Sequence, residues 1–191
     1  MSRISHCRGF GVQSPSAYRF IRYVVNEHFP YYAYDSLRLA FPGESPDKHR
    51  LHRLYFRIAN FAQASRCIDY SCCGAMFERY VKAACSKTEV VRVEPGICAD
   101  SLDGLLRPLA PLRFVRIAAS EGCVGFAEKV LECSSTDTLV VVERIKSDAS
   151  MREAWRKIMS DSRVSVSFDL YYCGIAFFDT GRFKRNYVVN F

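Results

Sequence analysis

Six consecutive residues, Asp69-Tyr70-Ser71-Cys72-Cys73-Gly74, bring a carboxylate, a phenol, a hydroxyl and two thiols to one short stretch. The adjacent thiols Cys72 and Cys73 have the composition of a redox pair or a soft-metal site. A disulfide between neighbours closes a strained ring, and a reducing compartment disfavours it. Two small residues in a tight loop are the preferred reading. The other cysteines of the nine are Cys7, Cys67, Cys85, Cys98, Cys123, Cys133 and Cys173, and most of them sit in apolar runs. They read as reduced, partly buried thiols. The C-x-x-C pairs of a zinc site are missing, as are G-x-x-x-x-G-K-[ST], G-x-S-x-G and H-E-x-x-H. His6, His28, His49 and His52 all precede residue 66 and read as surface residues. If the N-terminal segment folds over a cleft, His6 or Tyr18 is the candidate general base.

The elements that must position these groups can be read from punctuation and period. Ser14-Pro15 caps a helix over 14–29, with Ala17, Ile21, Val24, Val25 and His28 at helical spacing. Pro30 ends it, and the aromatic cluster Tyr31, Tyr32 and Tyr34 follows. Segment 41–46 reads as a loop. Ser45-Pro46 opens a second helix over 45–64, whose apolar stripe is Leu51, Leu54, Tyr55, Ile58, Phe61 and Ala62. Lys48, Arg50, Arg53 and Arg57 lie on its other faces.

From residue 66 the period changes. Strands are expected at 66–71, 88–95, 112–120 and 137–145, and helices at 75–86, 98–107, 121–133 and 149–160. Three strands close the chain at 164–170, 174–179 and 186–191, with a turn at Thr180-Gly181. Alternating strands and helices specify a mostly parallel sheet with helices on both faces. The closing strands have short turns and are expected to run antiparallel to their neighbours. The expected fold is therefore α/β, Rossmann-like, with an antiparallel C-terminal hairpin. The expected division is a helical cap over 1–65 and the sheet domain over 66–191, forming one compact unit.

Segment 8–21, RGFGVQSPSAYRFI, resembles the opening of a bacterial group of class I S-adenosylmethionine-dependent methyltransferase-like proteins. MREAWRKI at 151–158 and VSVSFDLYYCGIAFF at 164–178 resemble the last helix and closing strands of the same group. In such enzymes the first strand ends in an acid followed by a glycine-rich turn, and an acid on the second strand holds the ribose hydroxyls. The resemblance thus implies S-adenosylmethionine as cofactor and assigns Asp69, Ser71, Gly74, Glu94 and Glu143 to its site. This chain departs from the pattern in three respects. Ser71 and Cys73 stand where glycine or another small residue is expected, and the loop is about one residue short. Arg144 follows Glu143 where a second acid is expected, which makes a poor Mg²⁺ site. Segment 120–137 is short for a full member.

Two alternatives stay open for each acid. Asp69 contacts the cofactor or orders the loop, or else it caps the next helix. Glu94, set before the turn Pro95-Gly96, grips ribose or is an ordinary exposed acid.

Residues 1–66 hold ten Lys/Arg against four Asp/Glu, so most of the net charge of +7 lies there. That excess suits an anionic partner, but a solvated helix face is the plainer reading. The opening residues lack a secretion-type apolar stretch, and no run is long enough to span a membrane, so a cytoplasmic protein is expected.

Three functions follow as expectations. The first is methyl transfer to an oxygen or nitrogen of a small molecule. The second is a non-catalytic descendant of the fold used for binding or assembly, with Tyr70, Cys72 or Met76 filling the adenosine volume. The third is nucleic-acid binding by the basic helices, with Tyr31–Tyr34 stacking on bases. An exposed edge strand near the C-terminus would suit a homodimer.

Overall fold

The computed structural model describes residues 12, 14–179 and 184–191. The RGFG segment, His6, Cys7 and the turn at Thr180-Gly181 lie outside the described residues.

The first helix opens as expected. Ser14 Oγ accepts from the Ala17 N–H, and Pro15 occupies the first turn. Its α-helical part, α1 (Pro15–Phe20), passes into a wider π-helical turn over Ile21–Val25 and stops at Asn26. Phe20, Ile21, Val24 and Val25 are buried, and His28 lies beyond the helix, exposed. A helix absent from the sequence reading, α2 (Ala33–Ala40), begins inside the aromatic cluster. α3 (Pro46–Ala62) is capped by Ser45, whose Oγ accepts from the Lys48 N–H. No described helix is long and apolar enough to cross a membrane.

The sheet strands are β1 (Arg66–Tyr70), β2 (Glu89–Val93), β3 (Leu112–Ile117), β4 (Ser134–Glu143), β5 (Val164–Asp169), β6 (Cys173–Phe178) and β7 (Arg185–Val188). Helices α4 (Ala75–Ala84), α5 (Ala99–Leu106), α6 (Cys123–Cys133) and α7 (Ala149–Ser160) separate the earlier strands. Among the described residues the sheet order is β2-β1-β3-β4-β6-β5-β7. β1 pairs in parallel with both β2 and β3, β3 pairs in parallel with β4, and β6 runs antiparallel to β4 and β5.

One strand departs from expectation. β7 does not turn back on β6; it pairs in parallel with β5 at the sheet edge. The chain therefore crosses past β5 before it pairs, which the short spacing alone did not reveal. Segment 120–137 contains no further strand, because α6 ends at Cys133 and β4 starts at Ser134.

Apolar residues on one sheet face, such as Cys67, Phe114, Val141 and Ile175, pack against α1, α3 and α4. The alternate residues Ile68, Val115, Val140 and Ala176 pack with α6 and α7. Strand residues alternate between faces, so the sheet is buried on both sides and the arrangement is three-layered.

Candidate functional site

The order of the parallel strands reverses between β1 and β3. β2 is added on one side of β1, and β3 returns to the other side. In open α/β sheets such a switch point forms the crevice outside the carboxyl ends of the strands. The residues at that point are Asp69, Tyr70 and Ser71 at the end of β1 and the segment from Arg116 to Gly122 at the end of β3.

Asp69 and Arg116 are cross-strand partners in the parallel register and face α3 and α4. Asp69 is wholly buried, and its Oδ1 lies 2.7 Å from Arg116 Nη1. Its other oxygen, Oδ2, accepts from Ser71 Oγ at 2.9 Å. Arg116 Nε donates to Glu143 Oε1 at 2.8 Å, and the Tyr55 hydroxyl donates to the same oxygen at 2.5 Å. The guanidinium carbon stands 4.6 Å above the Phe77 ring. One cation thus joins two carboxylates beneath α3, and hydroxyls from Ser71 and Tyr55 supply further hydrogen bonds. Burial alone would lower the Arg116 pKa, but the charge of Glu143, with Tyr55 and Asp69, raises it above its ordinary value. Burial, reinforced by Glu143, pushes the Tyr55 phenol well up. Burial likewise raises the Cys67 and Cys173 thiols. These groups are held in one protonation state and are not poised to exchange protons near neutrality.

Tyr70 points to the opposite sheet face. Its ring stacks on Phe126 with centroids 4.1 Å apart, and its hydroxyl donates to the Glu121 carbonyl at 2.5 Å. The Ala118 N–H donates to the Tyr70 carbonyl at 2.9 Å, so β1 and β3 stay joined beyond their last paired residues. Gly122 has φ +73°, and a Cβ there would come within 2.7 Å of the Tyr70 hydroxyl. A Cβ on Gly74 would stand 2.1 Å from Asp69 Oδ2 and 2.8 Å from Arg92 Nε. Both glycines are needed for close approach, and each is approached by a side chain of this protein.

The five residues assigned from sequence do not form one cluster. Ser71 and Gly74 both lie against Asp69, and Glu143 joins them through Arg116. Glu94 stands apart, exposed at the end of β2 and followed by Gly96 at φ +89°. Asp69 does not cap the next helix; the N-cap of α4 is Gly74, without a side-chain bond. Cys72 and Cys73 are exposed, and Met76 packs with Tyr34, Phe56 and Tyr80 beneath α2. Tyr18 is exposed on α1. Among the described residues no three His, Cys, Asp or Glu side chains are grouped as metal ligands.

The basic helix faces are also less solvated than the sequence suggested. Arg57 is buried, and so are His49 and His52. His49 Nδ1 meets the Tyr80 hydroxyl at 2.8 Å, and burial holds the His52 pKa down at about 4. Tyr34 of α2, a helix unseen in the sequence, supplies one partner of Arg57.

Sequence reasoning missed Arg116 and the hydrogen-bonding role of Tyr55, whereas Tyr70 was among its three candidates for filling the adenosine volume. Arg116 carried a usable signal, since a cation inside the apolar run LRFVRI must find carboxylates once the strand is buried.

No protein-family model matches the sequence, and no curated protein matches it. Solved structures do match its fold. TomG, an O-methyltransferase from Streptomyces achromogenes involved in tomaymycin synthesis and solved with S-adenosylmethionine, aligns at TM-score 0.53 with 17% identity, covering 79% of this chain and 91% of that one. The methyltransferase PaMTH1 of Podospora anserina, bound to S-adenosylhomocysteine, aligns at 0.52 with 12% identity, covering 86% and 93%. MycE, a methyltransferase of the mycinamycin biosynthetic pathway solved with Mg and S-adenosylhomocysteine, aligns at 0.54 with 9% identity. This chain covers 76% of its own length in that match but only 48% of MycE. The chain has the class I methyltransferase-like fold, and S-adenosylmethionine is the cofactor that this fold holds in TomG.

Proposed function

We propose that this protein is a methyltransferase-fold protein whose cofactor crevice is closed by its own side chains, and that it acts by binding or assembly and not by methyl transfer. The observation that carries this reading is Tyr70, with its ring stacked on Phe126 and its hydroxyl bonded across the switch point to Glu121. The fit to S-adenosylmethionine is poor for the same reason. Asp69 has no exposed surface, and Ser71 is 2% exposed. The Asp69 oxygens already serve Arg116 and Ser71. Asp69 and Ser71 on this reading order the loop internally, and Glu143 anchors Arg116.

One feature favours a retained cofactor. Glu94 is exposed after β2, and the Gly96 turn presents it at the carboxyl edge of the sheet. A carboxylate there can accept from two ribose hydroxyls. A crystal structure of the protein soaked in S-adenosylhomocysteine decides between the two. The proposal expects Tyr70 to keep its bond to Glu121 with no ligand between the ends of β1 and β3. Ligand at that place, with Tyr70 displaced, would sink it.

A further inference from the structure

A second region, remote in sequence from the crevice loops, has the make-up of a ligand site. The end of the π-helical turn, α2 and α3 line a half-open cavity of about 490 Å³. That volume lies in the usual range for a small-molecule pocket. Arg50, Arg53 and Arg57 enter it from α3. Their spacing of three and four residues puts all three on one helix face.

The three arginines are in different states. Arg57 is committed: its Nε donates to the Val24 carbonyl at 2.5 Å, its Nη2 to Val25 at 3.0 Å and its Nη1 to the Tyr34 hydroxyl at 3.3 Å. Arg53 lies over the Tyr34 ring, with its guanidinium carbon 4.9 Å from the centroid, and its buried Nε has no acceptor. Asn26, in the same wall, has a buried Nδ2 that also lacks one. Arg50 stands 5.0 Å from the centroid of Phe191. Among the described residues no carboxylate lies in ion-pair range of Arg50 or Arg53. The acids of the lining are Glu27 and Asp35, and Glu27 Oε1 already accepts from the Phe29 N–H at 2.8 Å.

Two guanidinium groups in one cavity wall, neither paired with a carboxylate, call for an acceptor with negative charge. Tyr31, Tyr34 and Phe191 add aromatic surface to the same lining.

We infer that this cavity binds a small molecule that carries a phosphate or carboxylate beside a flat ring. The anion pairs with the guanidinium groups of Arg50 and Arg53, and the ring packs on the aromatic wall. The inference does not depend on the state of the switch-point crevice.

Isothermal titration of the full chain tests it. Adenosine 5′-monophosphate serves as the phosphate arm and 4-hydroxybenzoate as the carboxylate arm, with inorganic phosphate and adenosine as controls. At least one arm is expected to bind with a Kd below about 1 mM. The controls are expected to bind about tenfold more weakly or worse, because each lacks half of the recognised chemistry. Arg53→Gln and Asn26→Asp are each expected to weaken that arm by about tenfold, the second by setting a carboxylate against the anion. Asn26→Asp also guards against a folding defect in the arginine variant. Failure of both arms to bind would overturn the inference. So would inorganic phosphate binding as tightly as either arm, or affinity unchanged in both variants. Tighter binding of single-stranded oligonucleotide, with a steep salt dependence, would overturn it in favour of a nucleic-acid surface.

Discussion

The Tyr70 hydroxyl lies 2.7 Å from the point where a Cβ on Gly122 would stand. The phenol and the loop after β3 are therefore fitted to each other, and the glycine serves two purposes. It adopts φ +73°, which a side chain would strain, and it leaves room for the hydroxyl. Gly122→Ala is expected to destabilise the fold by about 1–3 kcal/mol. Adding Tyr70→Phe to that variant relieves the contact and recovers part of the loss. Urea unfolding of the two singles and the double gives the coupling. Strict additivity would mean that the two residues do not press on each other.

Arg116 is the only cation bonded to Asp69 and Glu143 among the described residues. Arg116→Met leaves two buried carboxylates facing each other, and a loss of about 3–5 kcal/mol is expected by chemical denaturation. Neutralising both acids as well, with Asp69→Asn and Glu143→Gln, should restore most of it. A near-neutral single substitution would show that the network is not desolvated as described.

Acidification should weaken the fold through His52. Its Nδ1 donates to the Lys48 carbonyl at 2.7 Å, and burial lowers its pKa from the usual 6.5 to about 4. Above pH 6.5 the ring is neutral in both folded and unfolded chains and contributes nothing to pH dependence. Between about 6.5 and 4 the unfolded chain takes up the proton first, so stability falls as pH falls, by at most about 3 kcal/mol. Stability curves measured from pH 7 to 4 should be shallower for His52→Asn. Parallel curves would rule out this source.

The thiols should separate into two classes. Cys72, Cys73 and Cys98 are exposed, whereas Cys67 and Cys173 are buried with raised pKa values. Peptide mapping after brief alkylation at pH 8 should find the first three labelled and the last two labelled only after denaturation. Labelling of Cys67 in the native protein would show that the sheet face under α3 is open.

The fold was legible in the sequence for particular reasons. β4 announced itself through the β-branched run VVV, and α3 through its Ser45-Pro46 cap and apolar stripe. β7 was placed in sequence, but its partner was not, because a hairpin and a crossover of similar length look alike. α2 stayed hidden, since Tyr31, Tyr32 and Tyr34 suggested a surface cluster and Pro30 suggested only an end. At the site, Asp69 and Glu94 could be found from their position at strand ends. That Asp69 is spent on Arg116 could not be found that way, because the pairing depends on the register of β1 against β3. Tyr70 was named among three candidates for the crevice. Only the sheet geometry sent Cys72 to the surface and Met76 under α2.

The central claim is that side chains of this protein occupy the switch-point crevice in place of a cofactor. Calorimetric titration of the folded wild-type chain with S-adenosylhomocysteine is its most direct test. No saturable heat up to about 1 mM ligand is predicted. A one-to-one isotherm that is abolished by Glu94→Ala would contradict it.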